Sequence, residues 1–491
     1  MKIAFASSEI VPYAKTGGLA DVAGSLPKEL NKLGADIKVF MPKYYTVDEH
    51  KFNLEYMFSI GEIKIRVAGY SHAVHFFEGK MPNSNVPIYF VDCPKYFHRH
   101  KIYTNDHDED ERFILFSKAV IELLQRFAWA PDIIHCNDWQ TGLMPMFIRD
   151  NYSWDRMFNQ TSTIYTIHNI AYQGRFGTET LSKAEINGNY FYPGGPVEFE
   201  GGVNFMKAGI MFADMINTVS ETYAKELLTA EYGSGMDPFL NSRKSDLYGI
   251  LNGVDYTVWN PEIDSHLPFN YSINDLSGKL KNKKYLLNTI HMPFDENVPL
   301  IGVISRFASQ KGIDLIAGII DNLLQMNVQL VVLGSGEEEY EEIFRHVAFN
   351  NPLKVWSYIG YNDDLSHLIE AASDIFLMPS KYEPCGLNQI YSLKYGTVPV
   401  VRKTGGLADT VQDWNEYNSY GLDIGNGFSF EEYSTYALQH AVDRAVNDFH
   451  NKPVWQKIIR NGMNKDYSWS VSAKSYLSLY EKASQRRKRL S

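Results

Sequence analysis

Only three cysteines, Cys93, Cys136 and Cys385, occur among the 491 residues, and none stands at CxxC spacing. That excludes a disulfide framework, indicates no structural zinc site and suits a reducing cytoplasm. No apolar run approaches the roughly 18 residues of a membrane span. The N-terminus has no basic stretch followed by an apolar segment and a small-residue cleavage site, so a soluble, unexported, cytoplasmic protein with no membrane partner is expected. Positive charge is short as well: 47 Lys and Arg face 58 Asp and Glu, for a net charge of −11. That balance disfavours nucleic acid as a partner. The basic tail Arg486 to Arg489 is read as a complement to the dipole of a final helix.

What is present is a repeated heptapeptide. KTGGLAD occurs as Lys15 to Asp21 and again as Lys403 to Asp409, each time after an apolar strand-like run and before a helix-like one. Glycines at a strand-to-helix turn let the backbone approach a ligand and aim N–H groups at an anion, with the helix dipole adding to the attraction. Gly17 with Gly18 and Gly405 with Gly406 therefore predict two phosphate-binding turns. Two such turns at opposite ends of the chain predict two doubly wound halves that offer glycine loops to one ligand held between them.

Short β-branched runs alternate with helical patterns along the chain. Strands are expected at 2–7, 36–42, 87–92, 132–138, 163–169 and 215–220 in the first half, and at 247–254, 299–306, 328–336, 355–361, 374–380 and 398–406 in the second. Many are apolar on both faces, as buried parallel strands are, so the fold class is α/β with two Rossmann-type domains. Residues 255–298 are rich in Asn, Pro and Lys and poor in pattern, and are read as an excursion beside the second domain. Residues 467–483 have the spacing of an amphipathic helix.

Ligands of open α/β sheets sit at the C-terminal ends of the strands. There, Arg306 and Lys311 flank a turn into a helix, where a guanidinium fork and an ammonium can straddle a diphosphate. Glu383 follows another strand end, and with the amides after it can hold sugar hydroxyls beside a phosphate.

The segments KTGGLADVAGSLPKEL, HCNDWQ, TIHNIAYQG, GILNGVD, SRFASQKG, PSKYEPCGLNQIYSLKYGTVPVVRKTGGLADTV and YSWSVSAKSY together resemble the bacterial glycogen synthases and plant starch synthases over nearly the whole chain. The resemblance implies a retaining GT-B glucosyltransferase, with two Rossmann-type domains facing a central cleft. Glucose would move from ADP-glucose to the non-reducing 4-hydroxyl of an α-1,4-glucan. It implies an acceptor-side domain at 1–245, with a final helix at 467–491 packing back on it, and a donor-side domain at 246–466. It places Lys15, Gly18 and Asp21 at the diphosphate, His168 at the donor glucose, Asp138 and Trp139 towards glucose and acceptor, and Asn252 in the NGVD turn. Arg306 and Lys311 match the diphosphate-neutralising pair and Glu383 the essential acid, with Cys385, Gly386 and Leu387 in its loop. Gly360 and Tyr361 fall on the base side, and Thr404, Gly405, Gly406 and Leu407 form the second glycine loop. The acid-x7-acid spacing of many GT-B enzymes meets Tyr391 instead of a second acid, as is usual in this branch.

Without a second acid paired to Glu383, a front-face mechanism is expected, in which the leaving diphosphate takes the acceptor proton and the cations stabilise its charge. No metal or other cofactor is expected. Asp108 and Asp110 have DxD spacing, but the run HDEDER reads as a solvated charge cluster. GSGE at 334–337 lacks the third glycine of a dinucleotide fingerprint, and acids fill its helix start. His135 and Cys136 read as core. Two other functions stay open on the sequence: a different GT-B sugar-nucleotide enzyme, using UDP-glucose or acting as an epimerase, and a non-catalytic glucan-binding protein.

Overall fold

The computed structural model describes residues 1–490. They form two compact units. The first joins Met1–Val219 and Ala224–Gly253 to the final helix; the second joins Ser220–Tyr223 to Val254–Ser468.

In the first unit the strand order is Leu247–Gly249, Met215–Thr218, Ser162–Ile167, Ile133–Asn137, Lys2–Ala6, Asp36–Pro42, Pro87–Asp92, Tyr70–Lys80 and Glu55–Tyr56. The strands up to Pro87–Asp92 are parallel, with Ile3 level with Ile37 on one side and Ile133 on the other. Ile3, Phe5, Ile133 and Ile164 are fully buried, as helices on both faces require. The far edge is antiparallel and was not anticipated: Ile63–Val67 and Tyr70–Lys80 form a hairpin. Its turn residues Ala68 and Gly69 both have positive φ, at 54° and 79°, matching the right-handed twist of the strands they join.

The expectation that 247–254 opens the second domain is corrected. Leu247–Gly249 pairs with Met215–Thr218 as the edge of the first sheet, so the chain changes unit at Gly253/Val254 rather than at 245/246. It returns at Ser468/Trp469, and the final helix runs Trp469–Leu490. Tyr476 and Tyr480 on that helix are fully buried in the first unit, where the Tyr480 hydroxyl lies 2.6 Å from His135 Nδ1. His135 Nε2 lies 2.6 Å from Thr166 Oγ1, and burial pushes the imidazole down to about 3, so it is neutral.

The reading of HDEDER as a solvated run is also corrected. Asp108, Glu109, Asp110, Glu111 and Arg112 are buried at the start of the helix Glu109–Arg126. Their carboxylates are taken by protein donors: Asp108 by Arg99 at 2.6 Å, Glu109 by Arg112 at 2.6 Å and by Thr104, Asp110 by Thr180 at 2.6 Å and Lys183 at 3.0 Å, and Glu111 by Tyr96 at 2.7 Å. Negative charge in a helix's first turn also favours its dipole.

The second unit has a six-stranded parallel sheet ordered Val355–Ile359, Gln329–Gly336, Leu300–Phe307, Ile375–Met378, Val398–Arg402 and Phe428–Phe430, the last of which was not anticipated. Its core packs Ile301, Val303, Val332, Ile375 and Val400 against Ile316, Leu438 and Ile458. The patternless stretch 255–298 holds the helix Ser277–Thr289, whose two inward lysines mislead a hydropathy reading. Lys279 donates to Ala371 O at 3.1 Å and Thr397 Oγ1 at 2.7 Å; Lys283 pairs with Asp374 at 2.7 Å.

Candidate functional site

In the first unit the predicted residues lie past the C-terminal ends of Lys2–Ala6, Ile133–Asn137, Ser162–Ile167 and, for Asn252, Leu247–Gly249. The first glycine loop is open. Lys15 to Gly18 are exposed, nothing lies within 4 Å of where a Gly18 Cβ would be, and the helix Gly18–Lys32 begins there with no side-chain cap. Lys15 Nζ pairs with Asp21 at 2.8 Å. At Gly18 this helix N-terminus is left exposed, with a cation beside it.

Asp138 has φ 54° and ψ −176°, a conformation that side chains rarely adopt. Its carboxylate accepts from the His168 N–H at 2.7 Å, fastening two strand ends together. Desolvation raises the carboxyl to about 7, against the pull of the His168 and Asn169 amides. The His168 ring is buried and its Nε2 lies 2.9 Å from Asn137 Oδ1, which assigns the proton to Nε2 because the amide oxygen only accepts. Burial pushes His168 down to about 3, so the ring is neutral. Trp139 packs edge-on against Phe113 at 4.9 Å and near Phe176 and Phe205, so much of its ring serves the local core. Asn252 is buried, and its Oδ1 has no hydrogen-bond partner among the described residues, leaving an acceptor unfilled.

In the second unit Glu383 is 6% exposed. Lys311 Nζ donates to its Oε2 at 2.6 Å and Ser380 Oγ at 3.1 Å, bringing two of the predicted residues together. Arg306 is exposed at the end of Leu300–Phe307. Cys385 is buried; Gly386 has φ 71° and leads into the helix Asn388–Tyr395 past Leu387. Gly360 has φ 142°, and Tyr361 beside it is 75% exposed with its hydroxyl donating to Asp363 at 2.6 Å. Tyr391 does not hang free: its ring lies parallel to Trp259 at 3.9 Å, and Trp259 stacks on His367 at 3.7 Å.

The second copy of the heptapeptide departs from the first. Thr404, Gly405, Gly406 and Leu407 are buried. The Gly406 N–H donates to Glu383 O at 3.1 Å rather than facing solvent. A Cβ on Gly405 would lie 1.9 Å from Glu383 O, and one on Gly406 2.0 Å from Cys385 O. Lys403 is turned to Glu416 at 3.0 Å. Asp409 accepts from the Thr222 backbone and hydroxyl. The expectation of two equivalent anion loops is thus corrected: the first copy is an open loop, and the second packs under the loop of Glu383 and fixes it. Sequence reasoning expects little of Asn137, which here accepts from His168 Nε2, and misses Ser380 and Glu9; the last accepts from Thr16 Oγ1 at 2.8 Å. An acid at a strand end six residues before Lys15 was the available signal.

Two Rossmann-type units with cations and a carboxylate at strand ends are the features of a GT-B glycosyltransferase, and the comparisons agree. The starch synthase catalytic domain model matches residues 2–242 and the glycosyl transferases group 1 model residues 291–464. A glycogen synthase of Desulforudis audaxviator is 44% identical, covering 98% of this chain and 96% of its own. One of Thermotoga maritima is 43% identical, covering 98% and 99%. The solved catalytic domain of starch synthase IV from Arabidopsis thaliana, bound to ADP and acarbose, superposes with a TM-score of 0.89 at 32% identity over 99% of both chains. A sucrose-phosphate synthase from Thermosynechococcus elongatus, at TM-score 0.62 and 17% identity over 98% of both, shares the fold. The chain belongs to the glycogen synthase family of glycosyltransferases.

Proposed function

We propose that this protein transfers glucose from ADP-glucose to the non-reducing 4-hydroxyl of an α-1,4-glucan, glycogen or a maltooligosaccharide, with retention and without a metal ion, in the cytoplasm. The observation that carries the reading is the buried Glu383 carboxylate held by Lys311 at 2.6 Å, with Arg306 on the neighbouring strand end. The cations take the diphosphate and stabilise the charge that grows on it as the bond to C1 breaks. Glu383 holds sugar hydroxyls. Exposed Tyr361 offers a ring face to the base, and the ADP bound in the Arabidopsis structure supports an adenine nucleotide as donor.

The first unit serves the glucose and the acceptor. Asn252 Oδ1 accepts from a sugar hydroxyl, and neutral His168 contributes hydrogen bonding and shape rather than charge. Asp138 orients the backbone of His168. With Tyr391 stacked on Trp259 where a second acid stands in other enzymes, no carboxylate nucleophile is provided at that position. The diphosphate oxygen accepts the acceptor proton. The net charge of −11 favours neither nucleic acid nor an anionic membrane as partner.

Proton NMR of the first product formed from ADP-glucose and maltotriose tests this. An α-1,4 linkage is expected. A β linkage, or a higher kcat/KM with UDP-glucose than with ADP-glucose, contradicts the mechanism or the donor respectively.

A further inference from the structure

Glu9 lies just past the central strand Lys2–Ala6 and is 3% exposed, in a segment tied down from several sides. Ser7 Oγ donates to the Glu9 carbonyl at 2.8 Å, the Tyr44 hydroxyl to the Ser8 carbonyl at 2.7 Å, and Ser8 Oγ lies 2.7 Å from the Tyr103 hydroxyl. The Glu9 carboxylate leaves this anchored segment and meets the first glycine loop. Its Oε2 accepts from the Thr16 N–H and, at 2.8 Å, from the Thr16 hydroxyl, and the Gly17 amide beside them also favours the charged carboxylate. The loop is otherwise exposed from Lys15 to Gly18 and rich in glycine. Ordering such a segment is costly, and a ligand that must order it binds more weakly.

We propose that Glu9 is a positioning residue for the nucleotide-sugar diphosphate: its carboxylate takes the place of an anion on the Thr16 and Gly17 amides, fixing the loop so that the backbone from Gly18 onward and Lys15 are presented to the phosphate. The buried acid sits where the sequence motif alone would place the ligand. The diphosphate therefore engages the N-terminus of the helix Gly18–Lys32 rather than the turn itself. Its effect is on binding of the donor, because the loop geometry is needed equally before and during the reaction.

This inference rests on the proposed donor chemistry, and its test separates the two. Steady-state kinetics of full-length wild type, Glu9→Ala, Glu9→Gln and Thr16→Val, with ADP-glucose and maltotriose varied in turn, read the donor and acceptor terms independently. Wild-type transfer from ADP-glucose checks the underlying reading by itself. Given that transfer, Glu9→Ala should raise the donor KM about tenfold or more, with kcat and the maltotriose KM changed less than about twofold. Glu9→Gln, whose amide oxygen still accepts from Thr16, should recover most of the donor KM. Thr16→Val, which removes one donor and keeps the backbone contact, should raise it a few-fold. Should Glu9→Ala fail to fold, the Gln and Val variants decide the matter. A donor KM unchanged in Thr16→Val, together with a Glu9→Gln variant that loses kcat or acceptor affinity instead, overturns the proposal.

Discussion

Glu383 and Lys311 carry opposite charges 2.6 Å apart, yet their expected losses on truncation differ. On the proposed mechanism Lys311→Ala or Arg306→Ala should remove a contact that strengthens as the diphosphate leaves, costing about 3 kcal/mol or more, hence about a hundredfold or more in rate. ADP affinity should fall with it. Glu383→Ala should lose turnover comparably while ADP affinity, measured by calorimetry, stays near wild type, because the lysine it releases is still present. Retained turnover in Glu383→Ala, or ADP binding lost as badly as in the cation variants, contradicts these roles. Asp138 gives a pH prediction. Its native carboxyl titrates near 7, above the ordinary value of 3.8, so between those values the native state holds a proton that the unfolded chain has released. Its contribution to stability therefore falls as pH rises from about 4 to 7. His168, held near 3 against an ordinary 6.5, works in the opposite direction and favours the native state as pH rises through that window. Denaturant midpoints of Asp138→Asn should accordingly climb more steeply with pH over 4 to 7 than those of wild type; an unchanged slope contradicts the raised carboxyl.

At the scale of elements, one heptapeptide serves two purposes because its surroundings differ. Gly18→Ala meets open space, so its melting temperature should match wild type, while donor KM should rise if the proposed diphosphate sits where the methyl is placed. Gly405→Ala places a carbon 1.9 Å from Glu383 O at a residue whose φ is already 45°, and should cost about 2 kcal/mol or more in stability along with most of the turnover. Calorimetric scans of the two variants check the contrast, and equal melting temperatures contradict it. Such differences are not legible in a repeat, since the motif specifies a turn but not what packs over it. The parallel strands were legible, because Asp36–Pro42 and Pro87–Asp92 are apolar on both faces and coincide with their predicted limits. The hairpin at 63–80 has polar residues facing out and resembles loop in composition, although Ile63–Val67 alternates buried and exposed. The charge run 108–112 misled for the converse reason: its partners Arg99, Tyr96 and Lys183 come from other parts of the chain and become visible only when the fold brings them in. The positions of Glu383, Lys311 and Arg306 were legible because each lies at, or within a few residues of, the C-terminal end of a strand.

For the molecule as a whole, the proposed mechanism has protein cations do what a divalent metal does in other transferases. Activity should be unchanged by EDTA and by added Mg²⁺, and loss with EDTA restored by Mg²⁺ contradicts it. The final helix belongs to the first unit's core through Tyr476, Tyr480 and Ser162, whose hydroxyl donates to Ala483 O at 3.0 Å. A chain ending at Ser468 should therefore lose the first unit's thermal transition at its native temperature, whereas an unshifted transition contradicts that packing. The central claim is glucosyl transfer from a sugar nucleotide to a glucan. Incorporation of label from ADP-[14C]glucose into polymer, with and without glycogen primer, tests it most directly. The account predicts strong primer-dependent incorporation, absent in Glu383→Ala; free labelled glucose in place of polymer, or binding of glycogen without incorporation, contradicts it.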